Sequence, residues 1–225
     1  MSMPHGSGGR VVLFDLDGTL VDSAPDLAGA ANDMRQARGL APLPASELRP
    51  HGGSGARGML QRAFDCQPGH DQYDALKLEF LQRYEQQMLR HSRLFDAVPE
   101  LLDALEAKQW RWGIVTNKAG HLAQRLADAV GLSPRAGVLV AGDSTPHTKP
   151  HPAPLHEAAR RLGVATQHCV YIGDDLRDMQ AARRAGMGAL AAAWGYLGPG
   201  SDPQTWQADA VLPDPAAVLQ FLELA

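Results

Sequence analysis

Apolar residues in this chain gather in short unbroken runs, separated by stretches with helical spacing. Runs at 11–16, 112–116, 138–141, 169–173 and 188–194 have the length and continuity of strands buried on both faces. Between the later runs the apolar positions recur every three to four residues. Leu101, Leu102 and Leu105 do so behind Pro99, then Leu122, Leu126 and Val130, then Leu155, Ala159 and Leu162. Leu176, Met179 and Ala182 form the last such group, closed by Gly186. Strand alternating with helix predicts right-handed crossovers and a parallel sheet covered on both faces, a Rossmann-like α/β core. Ligands of such sheets sit beyond the carboxyl ends of the strands, near the point where strand order reverses.

The segment 22–94 breaks this alternation and carries helix signals only. Ser23 followed by Asp26 matches a capping box, Leu27, Ala31 and Met34 form one face, and Gly39 marks a stop. Leu76, Phe80, Tyr84 and Met88 recur every four residues, a stripe that reads as packing and not as a cofactor surface. A glycine-rich stretch, 49–58, lies between these helices. It follows no strand and lacks Gly-Lys-Ser/Thr, so it is not a phosphate loop. The expected organisation is a disordered tail over 1–9, an α/β core from 10–21 and 95–225, and an inserted helical cap over 22–94. The connections 20–23 and 92–97 would act as a hinge, with the cap as a lid above the end of the first strand.

Composition narrows the function classes. Of 225 residues 44% are hydrophobic and 20% charged, and the net charge of −4 provides no basic surface for nucleic acid or an anionic membrane. No apolar run reaches membrane-spanning length. The N-terminus lacks the apolar segment of a secretory signal. There are two cysteines, Cys66 and Cys169, with no Cys-x-x-Cys pair, so a reducing compartment and no disulfide framework are expected. Cys169 sits in a strand-like run as an inert core thiol. The expected setting is the cytoplasm, as a monomer or homodimer.

The chemistry concentrates at four places. The first apolar run ends in Asp15-Leu16-Asp17-Gly18-Thr19, and two carboxylates at the end of a buried strand are costly unless compensated. A hard, oxygen-seeking cation such as Mg²⁺ would compensate them. Gly18 permits a tight turn and Thr19 can aim a hydroxyl into the site. Thr116-Asn117-Lys118 follows the second run, Lys149-Pro150 precedes a helix, and Gly173-Asp174-Asp175 with Asp178 follows the fourth run. Each of these alone has an ordinary reading. Asp174, Asp175 and Asp178 are also what a helix N-terminus attracts. The fold, however, brings all four to one place.

Asp15 to Ser23, Thr116-Asn117-Lys118, Lys149-Pro150-His151-Pro152 and Gly173 to Asp178 resemble, in order, the four motifs of the haloacid dehalogenase-like superfamily, over about residues 10–222. The insertion site resembles that of members with a helical cap. Among these, phosphoglycolate phosphatases and bacterial N-acetylmuramic acid 6-phosphate phosphatases are the most similar. The resemblance implies an aspartyl-phosphate on Asp15, with Asp17 protonating the leaving alkoxide and then deprotonating water. It implies Mg²⁺ held by Asp15, by the Asp17 main-chain carbonyl and by Asp174. Thr116 and Asn117 would donate to the phosphoryl oxygens, and Lys149 would neutralise charge on both Asp15 and the phosphoryl group. Asp178, together with Asp175, would orient Lys149 or metal-bound water from outside the ligand set. Dehalogenase members lack the second aspartate of the first motif, and Asp17 therefore argues against halide release.

The cap should select the substrate. Arg57, in a segment similar to the one that faces the active site in phosphoglycolate phosphatases, reads either as a bidentate carboxylate binder or as an ordinary surface arginine. His51 and His91, near the cap and hinge, read as polar surface residues. His147 and His151 flank Lys149 at the expected entrance without metal-ligand spacing, and Trp194-Gly195-Tyr196 reads as rim packing. The expected reaction is hydrolysis of a small carboxylate-bearing phosphomonoester, 2-phosphoglycolate first and N-acetylmuramic acid 6-phosphate second. A phosphosugar mutase, which would release little free phosphate, and a non-catalytic module are the competing classes.

Overall fold

The computed structural model describes residues 10–224, with side chains as far as Leu222; the expectation for the tail 1–9 lies outside the described residues. The central strand β1 (Val11–Phe14) pairs in parallel on one side with β4 (Arg111–Val115) and on the other with β6 (Cys169–Gly173). Beyond them lie β5 (Leu139–Val140), and β7 (Gly188–Ala192) with β8 (Ala210–Leu212), giving the order β5-β4-β1-β6-β7-β8. Strand order therefore reverses beside β1, and the carboxyl ends of β1, β4 and β6 stand next to one another.

Strand alternation assigns the two faces. Val12, Phe14, Ile114, Val170 and Ile172 pack with α5 (Val98–Ala107), α6 (Gly120–Ala129) and α9 (Ala216–Leu224). Val11, Leu13, Val115 and Tyr171 pack against α7 (Ala153–Leu162) and α8 (Leu176–Ala185). All four residues of β1 are buried, worth about 1.5–3 kcal/mol each in transfer free energy.

Between β1 and β4 the chain leaves the sheet through β2 (Val21–Asp22) and returns through β3 (Arg93–Leu94). The two expected hinge connections are thus zipped into an antiparallel ribbon, with Phe95 N–H also donating to the Leu20 carbonyl. The intervening helices are α1 (Ala24–Gln36), α2 (Ala45–Leu48), α3 (Gly55–Phe64) and α4 (Tyr73–Gln87). The glycine-rich stretch forms a 3₁₀ segment, Arg49–Ser54, leading into α3.

Two sequence expectations change here. Ser23 is the N-cap of α1 but makes no capping bond; its hydroxyl donates to Asp17 instead. Asp26 turns away from the helix end, accepting from the His91 and Ser92 amides and the Ser92 hydroxyl, and so pins the return strand. The capping box forms at α8, where the Asp175 side chain accepts from Arg177 N–H and the Asp178 side chain from Asp175 N–H. The sequence also gives no signal strong enough for β8 or the short ribbon, whose strands are two and three residues long.

Candidate active site

β1 ends at Phe14, so Asp15 and Asp17 are placed by the turn that follows and not by strand pleat. Asp15 N–H still continues the ladder to the Ile172 carbonyl at 2.9 Å, and its own carboxylate accepts from Leu16 N–H at 2.7 Å. Gly18 makes the turn with φ +87°; a Cβ there would stand 2.2 Å from Asp174 Oδ2, so only glycine lets the two loops approach.

Lys149 lies beneath Asp15. Its ammonium is 3.0 Å from Asp15, 2.8 Å from Asp178, 3.0 Å from the Val115 carbonyl and 2.6 Å from the Tyr171 hydroxyl. Tyr171 passes its own proton to the Val115 carbonyl at 2.7 Å. Burial opposes the lysine's charge, but the carboxylates of Asp15 and Asp178 outweigh it and hold the ammonium above its ordinary pKa. The Lys149 backbone is clamped by Asn117, which accepts from its N–H and donates to its carbonyl, both at 2.9 Å. One amide N–H of Asn117 is left over for another acceptor. Thr116 is buried, its oxygen accepting from Lys118 N–H at 3.2 Å while its own proton stays available.

Asp17 faces a different environment. Besides the Ser23 hydroxyl it accepts from Lys118 Nζ at 3.0 and 3.1 Å, and Lys118 also donates to the Tyr84 hydroxyl of α4 at 2.9 Å. Desolvation opposes this ammonium too, and Asp17 and Tyr84 together raise its pKa. Tyr84, expected as packing alone, is therefore both a buried member of the stripe and a polar contact to the site.

Asp174 is buried beneath the loop, accepting from the Thr19 hydroxyl at 3.1 Å and from Tyr196 N–H at 2.7 Å, with no cationic partner among the described residues. Burial, followed by the charges of Asp15 and Asp178, pushes its pKa well up. Oxygens of Asp15, Asp174 and Asp178 lie within 4.8 Å of one another. Among the described residues, Asp15, Asp17, Asp174, Asp175 and Asp178 are matched by ion pairs to Lys118, Lys149 and Arg177 alone, a formal excess of two carboxylates over cations. This donor set of clustered, undercharged oxygens fits a hard divalent cation such as Mg²⁺. Asp178, expected outside the ligand set, lies within the cluster.

Above the carboxylates is a cavity of about 540 Å³. Asp15, Asp17, Thr116, Asn117, Lys149, Asp175 and Asp178 line it from below. Arg57 of α3 and Lys77 of α4 line it from the helical side, along with Leu27, Phe80 and Leu81. Lys77 carried no sequence signal, because an exposed helix lysine has no motif. His147 and His151 pair with ring centroids 4.2 Å apart and are absent from the lining, so the entrance role expected of them is not observed. Tyr196 and Trp194 brace the rim. The Tyr196 hydroxyl accepts from Ser23 and Ala24 N–H, and the Trp194 indole donates to the Thr19 carbonyl.

The model of the haloacid dehalogenase-like hydrolases matches residues 10–186. The chain belongs to that family. A phosphoglycolate phosphatase of Xanthomonas campestris pv. campestris is 48% identical to this hydrolase over 206 residues, covering 92% of this chain and 93% of that one. An N-acetylmuramic acid 6-phosphate phosphatase of Pseudomonas putida is 38% identical over 216 residues, covering 96% and 97%. Among solved structures, a predicted phosphoglycolate phosphatase from Haemophilus somnus superposes with a TM-score of 0.84 at 29% identity, covering 95% and 98%. Among the described residues of the hydrolase, no helix is long and apolar enough to cross a membrane.

Proposed function

We propose that this hydrolase is a phosphomonoesterase that works through an aspartyl-phosphate on Asp15 and takes 2-phosphoglycolate as its first candidate substrate. The observation that carries the reading is Lys149, whose buried ammonium bridges Asp15 and Asp178 under an open cavity. An Asp15 oxygen attacks phosphorus as the ester P–O bond breaks, and Asp17 gives its proton to the departing alkoxide. Water then attacks the same phosphorus, Asp17 takes its proton, and Asp15 leaves as carboxylate. Thr116 and the spare amide N–H of Asn117 donate to the phosphoryl oxygens, while Lys149 keeps the charge near Asp15 balanced throughout. Asp178 holds Lys149 in place, and Asp175 steadies Asp178 through the backbone N–H that it donates to that carboxylate. Asp15, Asp174 and the Asp17 carbonyl would hold Mg²⁺, which supplies the charge that lets an anionic nucleophile meet an anionic phosphate.

Residues 22–94 act as a cap over the core of 10–21 and 95–225, and Arg57 meets the substrate carboxylate. Two buried cysteines, both free, suit a reducing cytoplasm. One observation favours N-acetylmuramic acid 6-phosphate as the second reading: about 540 Å³, with Leu27, Phe80 and Leu81 among the lining residues, is roomy for a two-carbon acid. Phosphate release with Mg²⁺ from both esters, plain hexose 6-phosphates and a nucleotide monophosphate, ranked by kcat/KM, tests the assignment. A preference of about a hundredfold for one carboxylate-bearing ester supports it; equal rates for esters without a carboxylate refute the role given to Arg57.

A further inference from the structure

Among the described residues, the charged side chain that ties the helical insertion to the acidic loop after β6 is Arg177. Its guanidinium forks onto Asp175, with Nε to Oδ1 and Nη2 to Oδ2 both at 2.8 Å. The same Nη2 donates to the Gly53 carbonyl in the glycine-rich segment, again at 2.8 Å. Asp175 is in turn locked to Asp178 through the capping box, and Asp178 to Lys149. An unbroken chain of contacts therefore runs from Gly53 to the partner of Asp15.

The segment that Arg177 reaches is short and tightly seated. At its start Arg49 pairs with Asp22 of the hinge ribbon at 2.8 Å and lies over the Tyr196 ring at 5.1 Å. In its middle, Gly52 stacks so closely on Tyr196 that a Cβ would stand 2.8 Å from the ring. At its end it delivers Arg57 to the cavity.

We infer that Arg177 is a positioning residue that seats the 49–58 segment of the cap over the catalytic aspartates, with Asp175 holding the guanidinium and Gly53 receiving it. The inference rests on the cap reading above and adds to it the residue that sets the cap's position. A guanidinium suits the task because its rigid planar fork grips the Asp175 carboxylate through two parallel bonds while the same group reaches the Gly53 carbonyl, a geometry that a lysine's single ammonium does not reproduce. Arg177 acts through the segment and through Arg57, and it takes no part in the bond-breaking steps.

Amide hydrogen exchange of the full chain, wild type against Arg177→Gln, tests this directly. The expected result is exchange about tenfold faster over 49–58, with 174–178 and the sheet changed much less. The KM for 2-phosphoglycolate rises about tenfold, and kcat falls by a smaller factor. Asp175→Asn, which strips the guanidinium of its fork, gives the same pattern more weakly and serves if Arg177→Gln folds poorly. Unchanged exchange over 49–58 overturns the inference whatever happens to activity. Exchange rising equally over 174–178 also overturns it, because Arg177 would then only brace the acidic loop. Failure of the phosphatase reading would appear separately, as a wild-type chain that releases no phosphate.

Discussion

Lys149 holds its ammonium 3.0 Å from the Asp15 carboxylate while its side chain is only 2% exposed. A lysine that deep is tolerated only among opposite charges, and Asp178 provides the second at 2.8 Å. Lys149→Met leaves two carboxylates facing each other without a cation. The expected cost is about 3 kcal/mol of stability at neutral pH, measured by urea unfolding, together with loss of nearly all phosphate release.

The acidic cluster predicts an unusual pH dependence for the metal-free protein. Burial, with Asp15 adding to it and Lys149 opposing it, pushes the Asp178 carboxyl up to about 7, above its ordinary 3.8. Between those limits the folded state holds a proton that the unfolded chain has released. The contribution is therefore fully present below the ordinary value and is lost as pH rises through about 7. In the presence of a chelator the protein should resist urea better at about pH 5.5 than at about 7.5, and Asp178→Asn should flatten that difference. Added Mg²⁺ should stabilise more at the higher pH, where the carboxylates are charged.

Tyr84 links α4 to Lys118 through a 2.9 Å hydrogen bond. Tyr84→Phe keeps the buried ring and removes only the hydroxyl. The expected loss in kcat/KM is about fivefold, with thermal unfolding nearly unchanged. A ring that serves packing alone would leave both measurements unmoved.

Arg57 lines the cavity opposite the aspartates. Arg57→Gln should lower kcat/KM for 2-phosphoglycolate by about 10- to 100-fold, the value of a charge-assisted bond. An aryl phosphate without a carboxylate should lose much less. Parallel losses on both substrates would assign Arg57 to the phosphoryl group.

What was legible in the chain followed from short-range rules. The strands β1, β4 and β6 were visible because a strand buried on both faces has no polar interruptions, and parallel order then forced Asp15, Thr116 and Asp174 together. The Gly186 stop of α8 was visible for the same local reason. Side-chain partners across the fold were not. Ser23 and Asp26 have the spacing of a capping box, yet each finds a better partner more than one turn away, Asp17 and the His91–Ser92 turn. Tyr84, Lys77 and Arg177 depend on how α3, α4 and the acidic loop are brought face to face, which no periodicity encodes. The motif that holds Asn117 points to a phosphoryl donor, whereas its clamp on the Lys149 backbone needs the loop before α7 to fold against β4.

The central claim is that Asp15 is the nucleophile, and Asp15→Asn tests it most directly. The substitution keeps the size of the side chain and removes its charge. With Mg²⁺ and 2-phosphoglycolate, phosphate release should fall by on the order of 10³-fold or more while the chain stays folded. Phosphate release at the wild-type rate from a verified Asp15→Asn protein would contradict the mechanism.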